Sequence, residues 1–133
     1  MNRKSCNWII VGSLSGAISV LLGAAGAHWL QPLLIEGDYT DTYSTAVRFH
    51  MLHSLLLILG AIILDRVTSN LFLLASLWLS LLGLAIFCGS LYVLAVTQFS
   101  ILGAIAPIGG ISLIVGWLSL AFGVLRSKVK RAS

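Results

Sequence analysis

The sequence predicts an all-α membrane protein, an antiparallel bundle of four transmembrane helices with both termini in the cytoplasm. Of its 133 residues, 59% are hydrophobic and only 9% are charged, and the mean hydropathy is +1.04. A soluble domain carries about 25% charged residues. So much apolar surface requires lipid around the molecule, and the length allows one integral membrane domain over residues 1–133.

Four apolar runs give the bundle its helices. They cover residues 8–30, 46–64, 71–96 and 101–125, and each holds 19 to 26 residues. A helix needs about 20 apolar residues to cross a hydrocarbon core about 30 Å thick. Residues 31–45, with Pro32 and three of the four acids, are expected to form the one long loop. The other connections are short, so consecutive spans are predicted to pack as antiparallel neighbours.

The basic residues set the predicted orientation. Seven of the eight flank the termini or lie in the 65–70 loop, and only Arg48 falls on the opposite side. The seven are Arg3, Lys4, Arg66, Arg126, Lys128, Lys130 and Arg131. Short loops rich in Lys and Arg stay cytoplasmic, so the protein is expected in a bacterial inner membrane as a multi-pass protein. Charge confined to such clusters argues for contact with anionic lipid and against a nucleic-acid partner.

Small residues recur along spans one and four at alternating spacings of three and four. Because lipid provides no hydrophobic drive for association, small side chains that let backbones approach predict helix–helix contacts. A repeat near 3.5 residues favours near-parallel, left-handed packing, mainly within the chain. The residues are Gly12, Gly16, Ser19, Gly23 and Gly26 in span one, and Gly109, Ser112, Gly116, Ser119 and Gly123 in span four.

Polar residues from all four spans share one depth, near the predicted outer face. These candidate site residues are His28, Arg48, His50, His53, Ser90, Tyr92 and Pro107. Polar and ionisable groups inside a membrane are costly and by default indicate a functional site. We expect His28, His53 and Tyr92 to share one outer pocket, with His50 and His53 on one stripe of span two. Arg48 is expected at the rim, reaching the interface or Asp41.

Three interpretations of this outer cluster remain open. The three histidines can supply nitrogen ligands to a metal, although no carboxylate is evident nearby. The histidines and Arg48 can also form a proton or anion site, because His titrates near neutral pH. In the third interpretation they hydrogen-bond across helices and only hold the bundle together. Pro107 either starts span four or bends it, since a deeper proline would free the Gly103 carbonyl.

Catalysis is disfavoured by the absence of its usual motifs. The sequence has no G-x-S-x-G, no H-E-x-x-H and no phosphate-binding loop. All four acids fall outside the spans. We therefore expect a protein that is not an enzyme and that carries neither a cofactor nor a metal.

Four segments resemble a small bacterial membrane family with a eukaryotic branch, domain-of-unknown-function family 423. Residues 23–28 (GAAGAH) are similar to its G-A-F-G-A-H stretch, and residues 45–53 (TAVRFHMLH) to T-A-V-R-Y-Q-M-Y-H. Residues 89–92 (GSLY) and 103–110 (GAIAPIGG) resemble G-S-L-Y and G-A-I-T-P-I-G-G. The resemblance implies a four-helix membrane protein and implies no activity. His50 stands where the family has Gln, and Ser44 where it often has an acid.

These observations favour a non-enzymatic accessory or assembly subunit that acts through helix–helix association. It is expected either as a homo-oligomer or within a larger membrane complex. The alternative is a transport or permeation component for a small solute, proton or anion, with the outer polar cluster as its vestibule. A continuous polar path would separate the two, and the sequence places polar groups on one side only.

Overall fold

Five α-helices make up the computed structural model, which describes residues 1–129. They are α1 (Arg3–Ala27), α2 (Gln31–Glu36), α3 (Thr40–Arg66), α4 (Leu71–Thr97) and α5 (Ile101–Leu125). Four of them are long and apolar enough to cross a membrane, and the described residues form no strand beyond one isolated bridge, Val67 to Val129. The predicted all-α membrane class is confirmed. Lys130 and Arg131 of the basic tail lie outside the described residues.

Helix boundaries follow local side-chain chemistry. The Asn2 side chain accepts a hydrogen bond from Ser5 N at the start of α1, and Asn70 accepts one from Leu73 N at the start of α4. Both satisfy backbone donors that a first turn leaves free. Gln98 ends α4 with a left-handed backbone, φ 60°. Helix α5 continues through Pro107, its seventh residue.

The long connection differs from the loop expected over residues 31–45. Residues 31–36 form α2, with Pro32 in its first turn, and α3 begins as early as Thr40. A proline in a first turn removes only a donor that has no intrahelical partner. Six residues are too few to show helical periodicity, so the sequence pattern does not predict α2. Helix α2 packs on α1, α3 and α4 and covers one end of the bundle.

The long helices are arranged in the spatial order α1, α3, α4, α5. Helix α3 contacts α1 on one side and α4 on the other, and α4 has its largest interface with α5. One end of the bundle, which we call the terminal end, holds both described termini: Asn2 N donates to Asp65 Oδ1 at 2.8 Å, and Lys128 meets Thr68. The opposite end, called the α2 end, carries α2 and the α4–α5 connection. The end helices α1 and α5 are the least buried.

Small residues line the α1–α3 interface. A Cβ added at Gly12 would lie 2.7 Å from Ile58 Cγ1 and 2.9 Å from Ser54 O, and one at Gly26 would overlap the Tyr43 ring. The remaining residues of the α1 stripe are less tight. At Gly16 the nearest atom would be 3.7 Å away and at Gly23 3.2 Å, while Ser19 is fully buried. The α1 stripe therefore faces α3 and differs in closeness along its length.

The α4–α5 interface is equally close. A Cβ at Gly109 would overlap the backbone nitrogen of Phe87, and one at Gly116 would lie 2.8 Å from Ser80 Oγ. Ser112 Oγ donates to Leu79 O at 2.9 Å. Further along, Gly123 meets Leu73 in the same way and Ser119 is half-buried. These contacts fix α5 on α4 over its whole length.

Candidate functional site

His50 is the centre of a buried hydrogen-bonded group that connects three helices. From α3, its Nε2 lies 3.1 Å from Ser15 Oγ of α1, and its Nδ1 lies 3.2 Å from Tyr92 Oη of α4. Ser15 Oγ is 2.7 Å from Ser54 Oγ, which in turn donates to the His50 carbonyl at 2.8 Å. Ser15, His50, Ser54 and Tyr92 form what we call the His50 network.

The direction of every bond in the His50 network follows from counting protons. The His50 carbonyl can only accept, so the Ser54 hydroxyl donates its one proton to that carbonyl. Ser15 must then donate to Ser54, and Ser15 Oγ accepts from His50 Nε2–H. This leaves Nδ1 as an acceptor for the Tyr92 hydroxyl. The result is a neutral imidazole with its proton on Nε2 and no unused donor in the group.

His53 forms a second, separate group with the opposite tautomer. Its Nδ1 lies 2.8 Å from the Phe49 carbonyl, so this nitrogen carries the proton. Its Nε2 therefore accepts, and the indole N–H of Trp117 in α5 donates to it at 3.2 Å. The side chain is 2% exposed. A proton added at Nε2 would face the indole N–H, so this geometry holds His53 neutral and connects α3 to α5.

The expectation that His28, His53 and Tyr92 share one pocket is wrong. His28 follows the last residue of α1 and is exposed; its backbone N–H donates to Ala25 O, and its imidazole takes part in none of the described hydrogen bonds. Tyr92 contacts His50, whereas His53 faces α5. Residues at positions i and i+3 of a helix point about 60° apart, so the two histidines meet different neighbours. An equal expected depth does not fix the direction in which each side chain points.

Two further residues of the predicted outer cluster lie outside both groups. Ser90 is buried, but its hydroxyl donates to Phe87 O of its own helix at 2.9 Å. Pro107 is exposed within α5. Neither residue adds a group that could bind a ligand beside His50 or His53.

Arg48 lies at the α2 end, as a rim residue. Its side chain is exposed, and Nη2 lies 3.4 Å from Thr45 Oγ1, one turn back along α3. The described contact is thus with Thr45 and not with Asp41, which was one of the two destinations expected for Arg48, the other being the membrane interface. Because helical side chains lean toward the N-terminus, the guanidinium extends toward the α2 end rather than into the bundle.

A cleft next to Arg48 opens between α1, α2 and the first turns of α3. Its volume is about 330 Å³. Polar side chains line one wall, since Thr40, Ser44 and Arg48 recur every fourth residue of α3 and share a face. The rest of the lining is mainly apolar and includes Gly23, Ala27, Leu34 and Val47.

Sequence reasoning missed three residues that complete these groups, and a fourth, Tyr43, that connects α3 to α1 outside them. Ser15 lies beside the glycine stripe and Ser54 one turn from His50, at spacings that place both on buried faces. Trp117 carried a signal, because an indole N–H in a span needs an acceptor. Tyr43 is 3% exposed, and its hydroxyl donates to Leu22 O of α1 at 2.7 Å. Its place one turn into α3 brings it against α1.

The arrangement is suited to holding helices together. Among residues 1–129 no three His, Cys, Asp or Glu side chains lie close enough to form a metal site. Both ring nitrogens of both buried histidines are bonded within the chain. Interhelical hydrogen bonds in membranes contribute about 0.6 kcal/mol each on average. Several such bonds fix the mutual positions of all four long helices.

Comparison with known proteins identifies the family. Residues 22–110 match the sequence profile described as Protein of unknown function (DUF423). The chain belongs to this family. Among its relatives, the UPF0382 membrane protein YwdK of Bacillus subtilis is 38% identical over 119 residues, covering 90% of this chain and 96% of the relative. A UPF0382 membrane protein of Staphylococcus haemolyticus is 42% identical over 119 residues, covering 90% of this chain and 95% of the relative.

The Escherichia coli relative is named for its membrane. The UPF0382 inner membrane protein YgdD is 33% identical over 127 residues, covering 94% of this chain and 94% of the relative. No solved structure matches the chain. The DUF423 chain described here is therefore a multi-pass membrane protein of a family whose function is unassigned.

Proposed function

We propose that this DUF423 protein is a non-enzymatic protein of the bacterial inner membrane that acts through helix association. It serves as an accessory or assembly subunit, either as a homo-oligomer or within a larger membrane complex. The observation that carries the proposal is that all four ring nitrogens of the buried histidines are bonded within the bundle, three of them to another helix and one to the Phe49 carbonyl of α3 itself. Residues saturated in this way stabilise a bundle and have no free atom for a substrate. The name of the Escherichia coli relative supports the membrane assignment.

The free surface of α1 is the one we assign to association. Only 17% of its apolar span is buried, against 44% for α3. Ser13 and Ala17 lie exposed on this face beside Leu14 and Ile18. Small side chains one turn apart let another backbone approach, which is the main source of attraction between helices in lipid. A partner helix against α1 would cover the span that the bundle itself buries least.

An exposed tryptophan tests this surface. Ala17→Trp places a large side chain on the free face of α1, and Ile111→Trp does the same on α5, where Ile111 is 62% exposed. Complexes extracted in mild detergent are weighed by native mass spectrometry. We expect the parent and Ile111→Trp to give the same assembly and Ala17→Trp to lose it. Three identical assemblies would refute association through α1.

A flux assay distinguishes this proposal from transport. The parent protein and His50→Gln are reconstituted in liposomes loaded with a pH-sensitive or chloride-sensitive dye. If the histidines only connect helices, neither protein should carry protons or anions faster than protein-free vesicles. Flux that the parent supports and His50→Gln lacks would overturn the proposal in favour of permeation through the His50 network.

A further inference from the structure

We propose that the cleft beside Arg48 is a binding site for one phospholipid, with the lipid phosphodiester on the Arg48 guanidinium and an acyl chain along the apolar part of the cleft. The charge of the cleft favours a phosphate group. Arg48 is exposed, and its one described contact is a 3.4 Å approach to the neutral Thr45 hydroxyl. Ser44, one turn away in the cleft wall, is also neutral. A guanidinium with open donors binds phosphate oxygens through charge-assisted hydrogen bonds.

The depth of Arg48 along α3 also fits a lipid head group. Helix α3 has 27 residues and is therefore about 40 Å long, some 10 Å more than a hydrocarbon core. With Asp65 and Arg66 at the interface of the terminal end, the opposite boundary falls about 20 residues back, near Thr45. Arg48 then starts about one turn inside this boundary and leans outward along the helix. Its guanidinium reaches the level where lipid phosphates lie.

The cleft has a polar part and an apolar part, as an amphipathic ligand requires. Thr40, Ser44 and Arg48 form the polar wall along α3. Gly23 and Ala27 of α1 face them, and the absence of large side chains there leaves room for a chain. A volume of about 330 Å³ accommodates a head group and the first carbons of one acyl chain. The amphipathic lining matches a phospholipid better than a free anion, which needs no apolar wall.

Lipid binding is tested with purified protein stripped of lipid and titrated in detergent, with bound molecules counted by native mass spectrometry. The probes are dioleoyl phosphatidylglycerol, the phosphate-free dioleoylglycerol and inorganic phosphate. We expect one phosphatidylglycerol to be retained, no retention of dioleoylglycerol at the same concentration, and no displacement by millimolar phosphate. Retention of both lipids alike, or displacement by phosphate, would overturn the site as proposed.

Three variants locate the binding. Arg48→Gln should weaken phosphatidylglycerol binding about tenfold, the effect of one charge-assisted contact. Ala27→Leu should weaken it similarly by filling the apolar wall while it keeps the charge. Arg66→Gln, an exposed arginine at the other end of α3, is the matched control and should bind like the parent. If Arg48→Gln and Ala27→Leu both bind like the parent, or if Arg66→Gln binds as weakly as they do, the cleft is not the site.

Discussion

Substituting alanine for individual glycines tests the helix contacts at the scale of one methyl group. A Cβ at Gly109 would lie 2.8 Å from Phe87 Cα, whereas carbon atoms pack at about 3.5–4.0 Å. Helices α4 and α5 would have to separate by about 1 Å, because a backbone atom cannot turn away as a flexible side chain can. Overpacking of this kind costs about 1–3 kcal/mol. The separation would also stretch the 2.9 Å bond from Ser112 to Leu79 O.

Two other glycines provide matched controls within the same bundle. A Cβ at Gly89 would meet nothing within 4 Å, and one at Gly16 would come no closer than 3.7 Å to Ser54. Alanine stabilises a helix relative to glycine by up to about 1 kcal/mol, and less where the unfolded state in lipid remains helical. Gly89→Ala and Gly16→Ala are therefore expected to unfold at or slightly above the parent's denaturant concentration.

The assay is unfolding of the purified protein in bicelles by added dodecyl sulfate, followed by circular dichroism and tryptophan fluorescence. We expect the order Gly109→Ala well below the parent, with Gly16→Ala and Gly89→Ala at or above it. A Gly109→Ala protein as stable as Gly89→Ala would refute the close α4–α5 contact. Equal destabilisation by Gly16→Ala and Gly109→Ala would instead mean that the stripes pack with uniform closeness, contrary to the structure.

The remaining predictions concern the two histidine groups and the orientation. Trp117→Phe removes the donor to His53 Nε2 and should lower the free energy of unfolding by about 0.6–1.7 kcal/mol in the same assay, the average and the upper end for an interhelical bond in a membrane. Tyr92→Phe removes the donor to His50 Nδ1 and should lower the free energy of unfolding by a similar amount. The two losses should add in the double variant, because the two histidine groups share no atom. In a protein whose native cysteines are replaced by alanine, an impermeant thiol reagent applied to intact cells should label Glu36→Cys but not Ser133→Cys. The reverse labelling would place the termini outside.

The fold was predictable because the signals that specify it are long. Each span provides about 20 apolar residues, and small residues repeating every three or four positions identify the faces that meet. A stripe does not tell how close each contact is: Gly16 and Gly109 look equivalent in sequence, yet a methyl group fits at one and clashes with backbone at the other. Closeness depends on the residues opposite, which the pattern of one helix does not contain.

The sequence could group the candidate site residues by expected depth, but it could not predict their contacts. His50 and His53 lie near the same level, but a rotation of about 60° directs one toward α1 and α4 and the other toward α5. His28 was expected beside them because it has a similar depth, although it lies beyond the end of α1. Hydrogen-bond partners depend on which helices are neighbours, and the spatial order α1, α3, α4, α5 is a tertiary property.

The contacts at the terminal end also bear on the order in which the protein can be completed during synthesis. Thr68, in the connection between α3 and α4, accepts from Ser127 and receives the backbone N–H of Lys128, which is 60 residues further along the chain. Asn70 caps α4 and also donates to Gly123 O at the end of α5. The helices of the α1–α3 and α4–α5 pairs leave the ribosome in close succession. The hydrogen bonds to Thr68 and Asn70, in contrast, need residues 123–128. The connection between α3 and α4 therefore gains these bonds only after α5 has been synthesised.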